Sequence, residues 1–324
     1  GHCNLLIKAC FVMSVLVCGS LAYDTLLHFD GAFSDHLLPD QLHKLSVCFK
    51  VPRLRREFGG CAGNIVYNLR ALGGHPCLLA SVGEDFAPYQ AHLDALGVDS
   101  RLVRTVPGQY TAQCFITSDQ ADNQITAFHP GAMDNPPAAH PSAAGPLQLA
   151  ILAPGGPQST LQLADELSAL SVPFMFDPGQ ELPLFSVEQL HALIARARWL
   201  ALNDYESELL MQRTGLDVAQ LAARVAGLVI TRGGQGSDLY ADGQHWRVPA
   251  AAADAIVDPT GCGDAYRAGL LHGLAQGWPW LDCGRLASVL GAIKIASRGG
   301  QNHPLNHDDI RQRYQTAFGE PCPL

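Results

Sequence analysis

A chain of 324 residues with 30 acidic and 21 basic side chains, net charge −9, has no broad positive surface for a nucleic-acid backbone, so a nucleotide polymer is excluded as partner. Apolar residues make up 48% and charged residues 16%, which suits a soluble, well-packed enzyme built as two average domains or as one large α/β domain with an insertion. Ten cysteines, scattered from Cys3 to Cys322 without a CxxC pair, fit a reducing cytoplasm and a core that needs no disulfide.

Residues 1–12 are expected to be a leader or a cloning remnant, with Met13 as the native start. The apolar run Ala9–Cys18 is too short to span a membrane and reads as a buried strand ending at Gly19-Ser20, so no membrane association is expected. Further apolar runs follow at Leu78–Val82, Leu149–Leu152, Phe174–Phe176, Trp199–Leu202 and Leu228–Ile230. Each exits into small or polar residues, and helical patterns lie between them, which is the rhythm of a mainly parallel α/β sheet. Ligands of such a sheet bind beyond the carboxyl ends of the strands, where these exits converge. Two stretches break the rhythm, about 25–52 and 108–130. There Leu26–Phe29 with Ser46–Val51, and Thr111–Thr117 with Gln124–His129, read as strands with no helix between them. They predict a small separate β-sheet, a lid over the carboxyl edge. Prolines 136, 137, 141 and 146 mark the loop that returns the chain to the core.

The segment Asp258-Pro-Thr-Gly261-Cys262-Gly263-Asp264 precedes a helical run ending near Gly277. Free N–H groups at such a helix start bind anions, so a phosphate can rest on Gly261, Cys262 and Gly263. A carboxylate beside that phosphate is unfavourable unless it accepts a proton, although Asp264 as a plain helix cap is the equal alternative on spacing alone. Asn203 and Glu206 are spaced either for an N-cap with its capping box or for hard oxygen ligation. The exit Thr231-Arg-Gly233-Gly-Gln-Gly236 permits close backbone approach to phosphates, or is a turn.

The Asp258–Asp264 segment resembles the second signature of the ribokinase, or PfkB, carbohydrate kinase family, and Gly59-Gly60-Cys61-Ala62-Gly63-Asn64 resembles the first. The resemblance runs from Met13 to about Gln301, and it implies a ribokinase-like three-layer α/β sandwich with a mainly parallel central sheet and a small β-sheet lid. It further implies Asp264 as catalytic base beside an oxyanion site on Gly261, Cys262 and Gly263. Ser20, Asp24, Gly60 and Asn64 would hold sugar hydroxyls, while Asn203, Thr231, Gly233 and Gly236 would bind the nucleotide. Glu206 with Asn203 would hold Mg²⁺ through water. ATP and Mg²⁺ are the implied cofactors, with a monovalent cation as a further candidate, and a homodimer through the lid is an expectation from the same source.

Within the family, His36–Ser46, the Phe128–Met133 stretch and Asn203–Glu206 look like bacterial adenosine kinases. Phe128 is then expected to cover a purine, its alternative being ordinary packing, and Gln180 to reach the nucleoside; Glu181 departs from the glutamine expected there. The implied activity is transfer of the ATP γ-phosphate to the 5′-hydroxyl of a nucleoside, adenosine first. Ribose, fructose, inosine or guanosine as acceptor is the alternative within the family. A catalytically silent nucleoside-binding protein is the alternative outside it. No P-loop, dinucleotide fingerprint, zinc motif or nucleophile elbow is present.

Overall fold

The computed structural model describes residues 13–324, so the expectation for residues 1–12 lies outside the described residues. Thirteen strands are present among them: β1 (Ser14–Cys18), β2 (Ala22–His28), β3 (Arg53–Gly59), β4 (Pro76–Val82), β5 (Asp99–Thr105), β6 (Ala112–Ser118), β7 (Gln124–His129), β8 (Leu147–Leu152), β9 (Phe174–Phe176), β10 (Trp199–Asn203), β11 (Gly227–Thr231), β12 (Ser237–Ala241) and β13 (Gln244–Val248). The helices are α1 (Cys61–Ala71), α2 (Ala87–Leu96), α3 (Pro157–Ala169), α4 (Val187–Arg196), α5 (Asp204–Thr214), α6 (Val218–Arg224), α7 (Cys262–Ala275), α8 (Trp280–Ile295) and α9 (His307–Phe318).

Nine strands form one sheet in the order β13-β12-β11-β10-β9-β8-β1-β4-β5. Pairing is parallel from β11 through to β5, and β12 and β13 turn back antiparallel at one edge. Successive side chains of a strand face opposite ways. Along β1, Val15 and Val17 accordingly enter one core with α1, α2 and α7, while Leu16 and Cys18 enter another with α3, α4 and α5. Three layers result. Small residues let the helices on the first face approach closely: a Cβ on Gly269 of α7 would lie 2.6 Å from the Cα of Ala287 in α8.

The second sheet has the order β3-β2-β6-β7, with β2 antiparallel to β3 but parallel to β6. Here the sequence expectation needs correction, because Ser46–Val51 is not a strand; its place is taken by Arg53–Gly59. Phe49 instead packs its ring against Phe29 and Phe33, at centroid distances of 4.9 and 5.1 Å, so the apolar signal there marks an aromatic cluster. The true strand is rich in charge because it borders the sheet, where charged side chains discourage pairing with other chains. Strands β5, β12 and β13 were also not anticipated; β5 and β13 are the borders of the large sheet. No helix among the described residues is long and apolar enough to cross a membrane, and the eight cysteines among them are free thiols.

Candidate active site

Strand order reverses direction beside β1, with β8 on one flank and β4 on the other, and a crevice forms at such a switch point. The exits of β1, β8, β9, β10 and β11 open into one cleft of about 650 Å³, and Asp24, Cys114 and Phe128 of the small sheet line its other wall. Thirteen of the residues singled out from sequence meet there: Ser20, Asp24, Gly60, Asn64, Phe128, Gln180, Asn203, Glu206, Thr231, Gly233, Gly261, Gly263 and Asp264. Cys262 and Gly236 do not line the cleft.

The loop Asp258–Gly263 delivers the start of α7 to the floor of this cleft. Gly261 is the N-cap, at φ 78°, and a Cβ there would lie 2.9 Å from the Cα of Gly300, so glycine is required on both grounds. Among the described residues the N–H groups of Gly261, Gly263 and Asp264 have no partner, and they are the donors available to an anion. The N–H of Cys262 donates to the Pro259 carbonyl at 3.1 Å and its thiol faces the Asp258 carbonyl at 3.9 Å. Cys262 therefore drops out of the donor set read from the sequence, and the Asp264 N–H takes its place beside those of Gly261 and Gly263. Asp264, in the first turn of α7, accepts a hydrogen bond from Asn64 Nδ2 at 2.9 Å. Burial pushes its carboxyl up to about 6, against the opposing pull of the Asn64 bond. An acid so placed is half-prepared as a base near neutral pH.

At the nucleoside end, Asp24 of β2 sits opposite Glu57 of β3, and a Cβ on Gly59 would meet its Oδ2 at 2.5 Å. Gly59 thus leaves room for the carboxylate, which burial and then Glu57 and Asp258 raise to about 6. Ser20 seats α1: its Oγ accepts the Cys61 N–H at 2.9 Å and its carbonyl accepts that of Ala62 at 3.0 Å. Gly60 allows this approach at φ 89°, since a Cβ would lie 2.5 Å from the Ser20 oxygen. Phe128 is 52% exposed on β7, facing the cleft without a packing partner that would bury it. Gln180 is exposed, and the neighbouring Glu181 carboxylate is engaged by the Gly156 N–H at 3.0 Å.

At the nucleotide end, Asn203 and Glu206 form a reciprocal capping box on α5, Glu206 N–H to Asn203 Oδ1 at 2.7 Å and Asn203 N–H to Glu206 Oε1 at 2.9 Å. Thr231 and Gly233 face the cleft from the end of β11. Gly236 belongs to the turn into β12, where its N–H donates to the Gly233 carbonyl at 3.1 Å and its carbonyl accepts the Arg232 N–H at 2.8 Å. A Cβ on it would collide with the Val248 carbonyl, so its glycine identity serves the hairpin. As a test of fit for Mg²⁺, Glu206 Oε1 is held by the capping box while the residue lines the cleft, which suits contact through water. No cluster of three or more His, Cys, Asp or Glu side chains that could hold a metal ion occurs among the described residues.

Two functional neighbours were missed from the sequence. Arg267, 5% exposed, donates from Nε to Asp177 at 2.8 Å and from Nη1 to the Gly263 carbonyl at 3.2 Å, with Glu206 4.0 Å away. It is a buried cation under the Asp258–Gly263 loop, and the signal available was an arginine one turn after Asp264 within an otherwise apolar helix. Gln301 donates to Asn64 at 3.2 Å and to Tyr89 at 2.8 Å, and no local pattern announces it.

A doubly wound sheet carrying an acid beside an anion-binding helix start, under a small β cover, defines a sugar-kinase type of site. The chain belongs to the pfkB family of carbohydrate kinases, whose model matches residues 29–308. It is 28% identical over 268 residues to a nucleoside kinase of Methanocaldococcus jannaschii, covering 82% of this chain and 88% of that one. Among solved structures it is similar to Burkholderia thailandensis nucleoside kinase in complex with inosine, at 45% identity and TM-score 0.85, covering 95% of this chain and 99% of that one. The same protein in complex with ADP-inosine is 46% identical with TM-score 0.82, over 95% of this chain and 97% of that one.

Proposed function

We propose that this chain is an ATP-dependent nucleoside kinase that phosphorylates the 5′-hydroxyl of a purine nucleoside, with adenosine as the first acceptor. The observation that carries the reading is the Asp264 carboxylate, fixed by Asn64 at 2.9 Å between the Gly261 and Gly263 N–H groups and a cleft that also holds Asp24. Asp24 accepts hydrogen bonds from the ribose hydroxyls. Asp264 takes the 5′-hydroxyl proton as that oxygen bonds to the γ-phosphorus, the bond to the bridging oxygen of ADP breaks, and the proton stays on Asp264 until product leaves. The free N–H groups of Gly261, Gly263 and Asp264 and the nearby Arg267 stabilise charge spreading over the phosphoryl oxygens. Glu206 and Asn203 would hold Mg²⁺ through its waters, and the ion would neutralise charge on the triphosphate. Closing the small sheet over the cleft excludes water and limits ATP hydrolysis.

Inosine is the second reading, favoured by the inosine complex of the 45% identical neighbour. The base end supports either purine, because the Gln180 amide offers both a donor and an acceptor while Glu181 is tied to Gly156. Turnover with ATP and Mg²⁺ is to be measured for adenosine, inosine, guanosine, cytidine, ribose and fructose. Stacking on Phe128 is worth about 1–3 kcal/mol, so purine nucleosides should exceed ribose roughly 5–150-fold in kcat/KM. Ribose or fructose equal to adenosine and inosine would reject the nucleoside reading and leave a sugar kinase.

A further inference from the structure

Lys294 is fully buried at the end of α8, yet no carboxylate pairs with it. Its ammonium donates to two backbone carbonyls, Asp258 at 2.9 Å and Ser297 at 2.7 Å. These belong to two segments that meet behind the cleft, the loop that leads into α7 and the turn packed against it. Asp258 opens the catalytic loop, and its own carboxylate accepts the N–H groups of Thr260 at 2.9 Å and Gly299 at 2.8 Å. Ser297 opens the turn that continues through Gly299 to Gly300. Gly300 lies against both Asn64 and Gly261, closely enough that a Cβ on it would overlap the Asn64 side chain. One charge thus joins the loop that carries Gly261 and Gly263 to the turn that shapes the Asn64–Asp264 contact.

A buried ammonium is costly unless its hydrogen bonds are strong and something depends on it. Its position at the carboxyl end of α8, among oriented carbonyls, is where a cation is favoured. Carbonyl oxygens are also the ligands that hold monovalent cations. We propose that Lys294 is a positioning residue, a built-in monovalent cation that locks the catalytic loop to the 297–300 turn so that Asp264 and the Gly261 and Gly263 N–H groups are preset before substrates bind. Substituting it removes charge from behind the loop and touches no group that contacts substrate.

The test compares wild type, Lys294→Ala, which opens a space at the carbonyls, and Lys294→Met, which fills it without charge. Each is measured in matched sodium, potassium, ammonium and tetramethylammonium chloride. In sodium, both variants should lose roughly 10–100-fold in kcat, as expected of a loop displaced by about 1 Å, with the nucleoside KM near wild type. Potassium or ammonium should restore Lys294→Ala saturably, and should leave Lys294→Met and wild type unchanged. A readout independent of turnover accompanies this: the melting temperature of Lys294→Ala should rise roughly 2–6 °C with potassium or ammonium, beyond any sodium effect. Should Lys294→Ala fail to fold in sodium, refolding yields in the four salts replace the melting curves, and recovery confined to potassium or ammonium supports the proposal. Wild-type kcat in either folded variant, or losses that no cation restores, would overturn it. An inactive wild type would reject the kinase reading alone, and the melting curves would still decide the role of Lys294.

Discussion

Asp264 joins a chemical role to a thermodynamic cost, and both can be measured. Asp264→Asn keeps the shape and removes the base, so kcat should fall roughly 10²–10⁴-fold while nucleoside binding persists. Because burial raises the Asp264 carboxyl to about 6 and the proposed base must be ionised to act, kcat/KM of the wild type should fall as pH drops through about 6. Stability runs the other way. The carboxyl is raised from 3.8 to about 6 on folding, so its contribution is favourable below about pH 4 and is lost as pH rises through 6. Asp264→Asn should therefore melt higher than wild type at pH 8, by an amount that shrinks on acidification. Asn64 supplies the hydrogen bond that opposes this rise, so Asn64→Ala should move the acidic limb of kcat/KM to higher pH. A limb that stays in place in Asn64→Ala would detach Asn64 from the titration of the base. Asp264 and Asn64 were legible as separate signature residues. Their contact was not, because 200 residues separate them and nothing local records the pairing.

Where a glycine must admit a neighbour's backbone, the motif carries the requirement and the sequence shows it. Gly60 and Gly261 each sit at positive φ with another chain segment against the Cα, and both were singled out from the signatures alone. Gly60→Ala should cost at least about 2 kcal/mol in urea denaturation, from the backbone conformation and the Ser20 contact together. Cys262→Ala should leave kcat close to wild type, since the Cys262 N–H is already engaged by Pro259. A large loss there would show a role for the thiol that the geometry does not contain. The interior parallel strands were legible as apolar runs because both their faces are buried. The borders β3 and β5, rich in charge, were missed, while the border β7 was read from the turn that pairs it with β6, and the antiparallel β12 and β13 carried no long apolar run. Asn203 and Glu206 show the limit of motif reading, for the capping box and the implied metal role use the same two residues at the same spacing.

The architecture was legible as a rhythm of strand exits, and the cleft was placed correctly because every parallel strand of such a sheet points its carboxyl end the same way. What no rhythm reveals is the late segment 294–301, which reaches back beneath the catalytic loop and Asn64. The pairing of β2 carries a consequence for the order in which this chain folds. Its antiparallel partner β3 is near in sequence, but its parallel partner β6 joins in the register Ala22 with Ala112, so the small sheet cannot close until the intervening β4 and β5 have found their places. A β2–β3 ribbon alone is marginal in water, and closing so long a loop early is entropically unfavourable. The large sheet should accordingly acquire amide protection first during refolding, with β6 and β7 last. In the native protein, amide exchange should report an opening of β7 at lower free energy than of β1 or β8, so that the cover over the cleft is the part of the molecule least costly to undo.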